Sequence, residues 1–186
     1  MIVEELEPVT LIGGGVVAAG DLEFALTMAP FLVAADGGAD RALAEGHTPI
    51  AVIGDLDSLS HIVRSQLTPN SLYEIAEQTS TDFHKALSNI DAPAVLAVGF
   101  MGARIDHQLA AFNTLVQPMS SPCILIGETE VIFHVPPHIS LPTRAGDIVS
   151  LFPLDMVNGS STGLEWPIDG LHLSPMGRVG TSNRAT

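Results

Sequence analysis

Apolar positions along this chain fall into two regimes. Over roughly the first 120 residues, short apolar runs at 9–12, 31–35, 51–53, 72–75 and 94–98 alternate with stretches at 22–28, 39–45, 62–67, 82–89 and 106–116 that carry helical spacing. Runs that are apolar throughout suit strands covered on both faces. Strand, helix and strand in repetition predict a parallel sheet with right-handed crossovers. Beyond Cys123 the helical period fades, and the runs at 131–135, 148–152 and 171–173 are broken by Pro, Gly, Asn and Ser, the signals of hairpins and sandwiches. The pattern predicts an N-terminal, Rossmann-like α/β domain over 1–119 and a smaller all-β sandwich domain over 120–186. The boundary is expected near 117–122, where Pro118, Ser120, Ser121 and Pro122 cluster.

Composition narrows the classes. The formal charge of -14, from 7 Lys+Arg against 21 Asp+Glu, opposes binding to nucleic acid or to anionic lipid, while leaving a small cationic substrate unhindered. Cys123 is the one cysteine, which excludes an internal disulfide and makes a reducing cytoplasm the expected compartment. Glu4, Glu5 and Glu7 stand where a secretory signal carries positive charge. The apolar run at 92–103 is too short to span a membrane.

Four acidic motifs sit at or just after apolar runs: Ala35-Asp36-Gly37-Gly38, Gly54-Asp55-Leu56-Asp57-Ser58, Thr81-Asp82-Phe83-His84-Lys85 and Arg104-Ile105-Asp106-His107. A parallel sheet brings such positions to its carboxyl edge, where open α/β folds bind ligands. Carboxylates beside a lysine and an arginine suggest Mg²⁺ clamped onto a polyphosphate. In an extended chain Asp55 and Asp57 would share one side, about 6.5 to 7 Å apart, with Leu56 facing away. Each motif also has a structural explanation. Asp57 or Ser58 can cap the next helix, Asp36 can be a turn aspartate, and Thr81 with Asp82 and Lys85 can be a cap with a helix-surface ion pair. Arg104 can hold phosphate bidentately, while a lone His107 more often serves as a structural hydrogen-bonding residue.

The run Gly13-Gly14-Gly15-Val16-Val17-Ala18 fits a dinucleotide-binding fingerprint, with Asp36 as its ribose acid. Gly20 and Asp21 suggest a helix that starts only after the run, whereas the fingerprint needs a helix that starts within it. That reading also leaves Asp55, Asp57, Asp82 and Lys85 without a role.

In their order, these motifs resemble those of the thiamine pyrophosphokinase family, and the likeness continues through Ser161-Thr162-Gly163-Leu164-Glu165-Trp166 and Gly180-Thr181-Ser182-Asn183. The resemblance implies an ATP- and Mg²⁺-binding α/β domain, a thiamine-binding β domain and a homodimer with thiamine held where subunits meet. The implied reaction is ATP plus thiamine giving AMP plus thiamine diphosphate. It implies that Asp55, Asp57 and Asp82 hold the metal and act in catalysis with Lys85 and Arg104. The implied ATP site is Asp36, Gly37, Gly38, Lys85, Arg104, Asp106 and His107, and the implied thiamine site is Gln78, Trp166, Ser182 and Asn183. By position alone, Trp166 would be a sandwich core residue.

Two departures stand against the family pattern. Thr79 occupies a position where the family often carries a carboxylate, and the chain stops at Thr186, where relatives usually continue with further β structure. Transfer to another hydroxymethyl heterocycle such as a pterin, an NAD-type oxidoreductase, and a non-catalytic thiamine or nucleotide binder are the alternative functions.

Overall fold

The computed structural model describes residues 1–102 and 104–186; Ala103, in the motif before the last helix, lies outside the described residues. The strands are β1 (Val3–Glu4), β2 (Val9–Ile12), β3 (Phe31–Ala35), β4 (Ala51–Gly54), β5 (Leu72–Glu74), β6 (Ile90–Asp91), β7 (Val95–Val98), β8 (Cys123–Ile126), β9 (Val131–Phe133), β10 (Ile148–Leu151) and β11 (Gly180–Arg184). The helices are α1 (Asp21–Met28), α2 (Gly38–Ala44), α3 (His61–Gln66), α4 (Asp82–Leu87) and α5 (Ile105–Leu115), with a 3₁₀ turn at Pro69–Ser71.

The chain divides into two compact units, Met1–His134 and Val135–Thr186. In the first, seven strands form one sheet in the order β5-β4-β3-β2-β7-β8-β9, parallel except for the terminal β8–β9 hairpin. Alternate strand residues serve opposite faces. Val9, Leu11, Val33, Ile53, Val95 and Leu125 pack with α4 and α5, while Ile12, Leu32, Val52 and Val98 pack with α1, α2 and α3. Both faces are covered, which is why these strands are apolar throughout. Burial pushes the Cys123 thiol up to about 12, so it stays protonated inside the sheet.

The division between units falls later than the 119/120 boundary expected from composition. β8 and β9 lie after that boundary yet extend the large sheet: Cys123–Ile126 pairs in parallel with β7, and Val131–Phe133 folds back on it. An apolar run of four residues does not reveal which sheet it joins.

The second unit is a C-terminal antiparallel β region. β10 pairs with β11 through a register shift between Val149 and Leu151, and single bridges join Val157 to Leu173 and Leu164 to Ala185. The run at 171–173 contributes only the bridges made by Leu173. Among the described residues, no helix is long and apolar enough to cross a membrane.

Candidate active site

The carboxyl edge of the large sheet is built by the loops after β2, β3, β4, β5 and β7. After β2, the Gly13 N–H donates to the Val98 carbonyl and the Gly15 N–H to the Gly99 carbonyl, each at 2.9 Å. A Cβ at Gly15 would stand 2.5 Å from the Gly99 oxygen, so glycine here serves the approach of two backbones. α1 begins only at Asp21, behind Gly20 at φ 91°, which removes the helix start that a dinucleotide fingerprint requires.

Asp36 closes β3 in the left-handed region at φ 43° and is buried. Its Oδ2 accepts the Ser58 N–H at 3.2 Å, and its Oδ1 is buried without a hydrogen-bond partner. Burial raises its pKa above the usual carboxylate range, the nearby Asp82 charge adds to that, and hydrogen bonding with Ser58 and Gly37 opposes it. Gly54 makes this crowding possible. A Cβ there would lie 2.8 Å from the Asp36 Cβ and 3.2 Å from the Asp82 Oδ1.

The Asp55-Leu56-Asp57 segment is turned rather than extended. Leu56 takes φ 61° and buries its side chain in the face of the core shared with α1, α2 and α3. Its apolar burial holds a backbone conformation that leucine otherwise avoids. Carboxylate oxygens of Asp36, Asp55 and Asp57 consequently lie within 4.8 Å of one another. Asp57 does not cap α3; that role belongs to Ser60, whose Oγ accepts the Val63 N–H at 3.2 Å. The Asp57 Oδ1 instead accepts the Ser58 hydroxyl at 2.9 Å. Three clustered carboxylates, one with a partnerless buried oxygen, form a hard-oxygen donor set that fits a divalent cation.

Asp82 stands outside that group and pairs with Lys85. Thr81 caps α4 by accepting the His84 N–H, so Asp82 opens the helix and Lys85 follows on the same face. The Lys85 ammonium, on a side chain only 2% exposed, donates to Asp82 Oδ1 at 3.1 Å and to Asp55 Oδ2 at 3.3 Å. Burial alone would lower its pKa, but the Asp82 and Asp55 carboxylates outweigh it and the net shift is upward. Gln78, expected at the thiamine site, reaches the same Asp55 Oδ2 at 2.9 Å. That bond is the main cause holding the Asp55 carboxyl below its ordinary range, against a rise from burial.

Arg104 and Asp106 form an exposed pair, with Nε 3.2 Å from Oδ1 and a terminal nitrogen 2.5 Å from Oδ2. The guanidinium holds the Asp106 carboxyl down to about 2, and its planar fork is engaged by this carboxylate. His107 is exposed beside it.

In the second unit, Trp166 is 55% exposed and is not a core residue. Its backbone is held by the buried Asn183, which accepts the Trp166 N–H at 3.1 Å and donates to its carbonyl at 2.6 Å. Exposed Ser182, at φ 62°, donates its N–H to the Ser150 Oγ at 3.0 Å. Ser182 and Asn183 lie on β11, and the Asn183 side chain ties the Trp166 backbone to that strand.

Sequence reasoning did not single out Glu77 or Gly54, and gave Leu56 no structural role. The Glu77 carboxylate accepts from the backbone and hydroxyl groups of both Thr79 and Ser80. A carboxylate two and three residues ahead of Thr and Ser is the signal that could have found it.

Two family models match the chain: "Thiamin pyrophosphokinase, catalytic domain" over residues 22–126 and "Thiamin pyrophosphokinase, vitamin B1 binding domain" over residues 134–186. Thiamine pyrophosphokinase 1 of Oryza sativa subsp. japonica is 29% identical over 186 aligned residues, spanning 81% of this chain and 70% of the relative. The fold is similar to that of thiamine pyrophosphokinase from Bacillus subtilis, with TM-score 0.76, 21% identity, and coverage of 96% of this chain and 90% of the other. Thiamin pyrophosphokinase from Candida albicans gives TM-score 0.75 at 18% identity, covering 98% of this chain and 85% of the other.

Proposed function

The chain belongs to the thiamin pyrophosphokinase family, and on that footing we propose that it transfers pyrophosphate from ATP to thiamine, releasing AMP. The hydroxyethyl oxygen of thiamine forms a bond to the β-phosphorus, the bridge between the α- and β-phosphates breaks, and the hydroxyl proton is released. The observation that carries this reading is the Asp36, Asp55 and Asp57 group, with the partnerless Asp36 Oδ1, beside buried Lys85.

In this reading Asp36, Asp55 and Asp57 hold Mg²⁺. When bound, the ion neutralises polyphosphate oxygens and polarises the phosphorus under attack. Asp82 keeps Lys85 at the site, where the ammonium offsets the clustered carboxylates and meets phosphate oxygens as charge develops on them. Gly37 and Gly38 belong to the same ATP site, where a Cβ at Gly38 would stand 2.2 Å from the Ile12 carbonyl oxygen, and Arg104 exchanges Asp106 for phosphate with the same two-pronged geometry. His107 borders the nucleotide. Trp166 stacks on the cationic thiamine ring, with Ser182 and Asn183 lining that pocket.

A homodimer and a cytoplasmic location belong to the same reading. The second unit leaves the apolar side chains of Ile148, Phe152, Met156 and Trp166 exposed, and association with a second copy would cover such side chains. The lone buried Cys123 needs no oxidising compartment.

The test is an AMP-release assay with ATP across thiamine, hydroxymethylpterin and no acceptor. Mg²⁺-dependent AMP in equal amount to thiamine diphosphate is expected. ADP with thiamine monophosphate, or release with the pterin alone, would overturn the proposal. Size exclusion should give a dimer of about twice the 19.5 kDa chain mass.

A further inference from the structure

The loop after β5 approaches the carboxylate group in a defined way. The Ile75 N–H donates to the Gly54 carbonyl at 2.7 Å, which ties the start of the loop to the end of β4. Glu77 then turns its carboxylate back on the loop, accepting the Thr79 N–H at 2.6 Å, the Ser80 N–H at 3.2 Å and both hydroxyls. Gln78 lies between the acceptor and the donors of this clamp, and its amide reaches Asp55 Oδ2 at 2.9 Å. Lys85 donates to that same oxygen. Asp55 Oδ1 receives only a long contact from the Asp57 N–H, at 3.4 Å. Gln78 and Lys85 therefore hold the carboxylate by one oxygen, and the other, which receives only the Asp57 N–H, keeps lone-pair capacity for a ligand.

We infer that Glu77 is a positioning residue for the cation site, acting through Gln78 to set the orientation of Asp55. Thr79 donates to the clamp as a hydroxyl; a carboxylate at that position would repel Glu77. The inference rests on the reading of Asp36, Asp55 and Asp57 as cation ligands. Groups that orient a metal ligand through a hydrogen bond commonly influence affinity as much as activity.

Titration of Mn²⁺ into nucleotide-free protein by calorimetry tests it. Glu77→Ala and Gln78→Ala should each weaken Mn²⁺ binding about 10-fold or more. The double variant should be no weaker than the weaker single one, because the two residues act in series. Thr79→Val with Ser80→Ala, which removes the two hydroxyl donors, should weaken binding in the same direction. In steady-state assays the Mg²⁺ requirement should rise while the thiamine KM stays unchanged. Wild-type Mn²⁺ affinity in Glu77→Ala, additive losses in the double variant, or a Gln78→Ala defect confined to the thiamine KM would overturn the inference. If the unsubstituted chain bound no Mn²⁺, the cation reading itself would fall, and this inference with it.

Discussion

Asn183 grips the backbone of Trp166 from both sides, accepting its N–H at 3.1 Å and donating to its carbonyl at 2.6 Å, while the indole stays exposed. A tryptophan held by its backbone keeps its Cα–Cβ bond in one direction, from which the exposed ring projects. Ring stacking on a cation is worth roughly 0.5 to 2 kcal/mol, so Trp166→Ala should raise the thiamine KM several-fold and leave the ATP KM nearly unchanged. Asn183→Ala should act in the same direction by releasing the backbone. Steady-state kinetics with each substrate varied checks both; a Trp166 defect confined to ATP would return the indole to a structural role.

The carboxylates separate from the helix cap next to them. Asp36→Asn, Asp55→Asn and Asp57→Asn should each lower kcat/KM by roughly 100-fold or more, about 2.7 kcal/mol of transition-state stabilisation. Ser60→Ala should instead lower unfolding free energy by about 1 kcal/mol and spare turnover. Near-normal turnover in Asp57→Asn would remove that residue from the cation group.

Arg104 and Asp106 give a test of geometry. Arg104→Lys keeps a charge but loses the planar fork, so it should fail to support normal turnover, with the ATP KM raised. Full activity would show that phosphate is not held bidentately at this position.

Crowding around Gly54 predicts a defect from a single methyl group. Gly54→Ala places a Cβ 2.8 Å from the Asp36 Cβ, and overpacking of this kind typically costs about 1 to 3 kcal/mol. Chemical denaturation should show the loss, and Mn²⁺ titration a weaker site. An unchanged midpoint and affinity would mean that the loop yields freely.

Acid and alkali should act on different residues. Glu77 titrates at about 2 in the fold against an ordinary 4.5, because the Ser80 and Thr79 donors favour its charged form. Its folded value is depressed, so its contribution is full above the ordinary value and is lost as pH falls toward about 2. Lys85 is raised above its ordinary 10.5, so its contribution is full below that value and is lost as pH rises through the higher folded one. Denaturation midpoints of the unsubstituted chain and Glu77→Ala should differ near neutral pH and converge in strong acid. Those of Lys85→Met should converge with the unsubstituted chain in strong alkali. Constant gaps across either range would contradict the assignment.

The large sheet was legible because β2, β3, β4, β5 and β7 are short apolar runs separated by helical stretches, and the four acidic motifs follow from where such strands end. β1 and β6, two residues each, carry no period, and β11 is Gly-Thr-Ser-Asn-Arg, in which only Thr181 favours a strand. Asp36, Asp55 and Asp57 were legible as neighbours at one edge. The turn at Leu56 and the Gln78 bond to Asp55 were not, since each depends on loop conformations fixed by tertiary packing, whereas the pairing of Asp82 with Lys85 follows from their spacing on α4.

Leu56 stands between two of the acids with its backbone in the left-handed region and its side chain in the interior. The spacing of Asp55 and Asp57 is therefore encoded in how a leucine packs. Substitution at this apolar position would shift both carboxylates at once. Evolutionary drift in the interior and drift in the chemistry are not independent here, because selection on packing and selection on turnover bear on the same side chain.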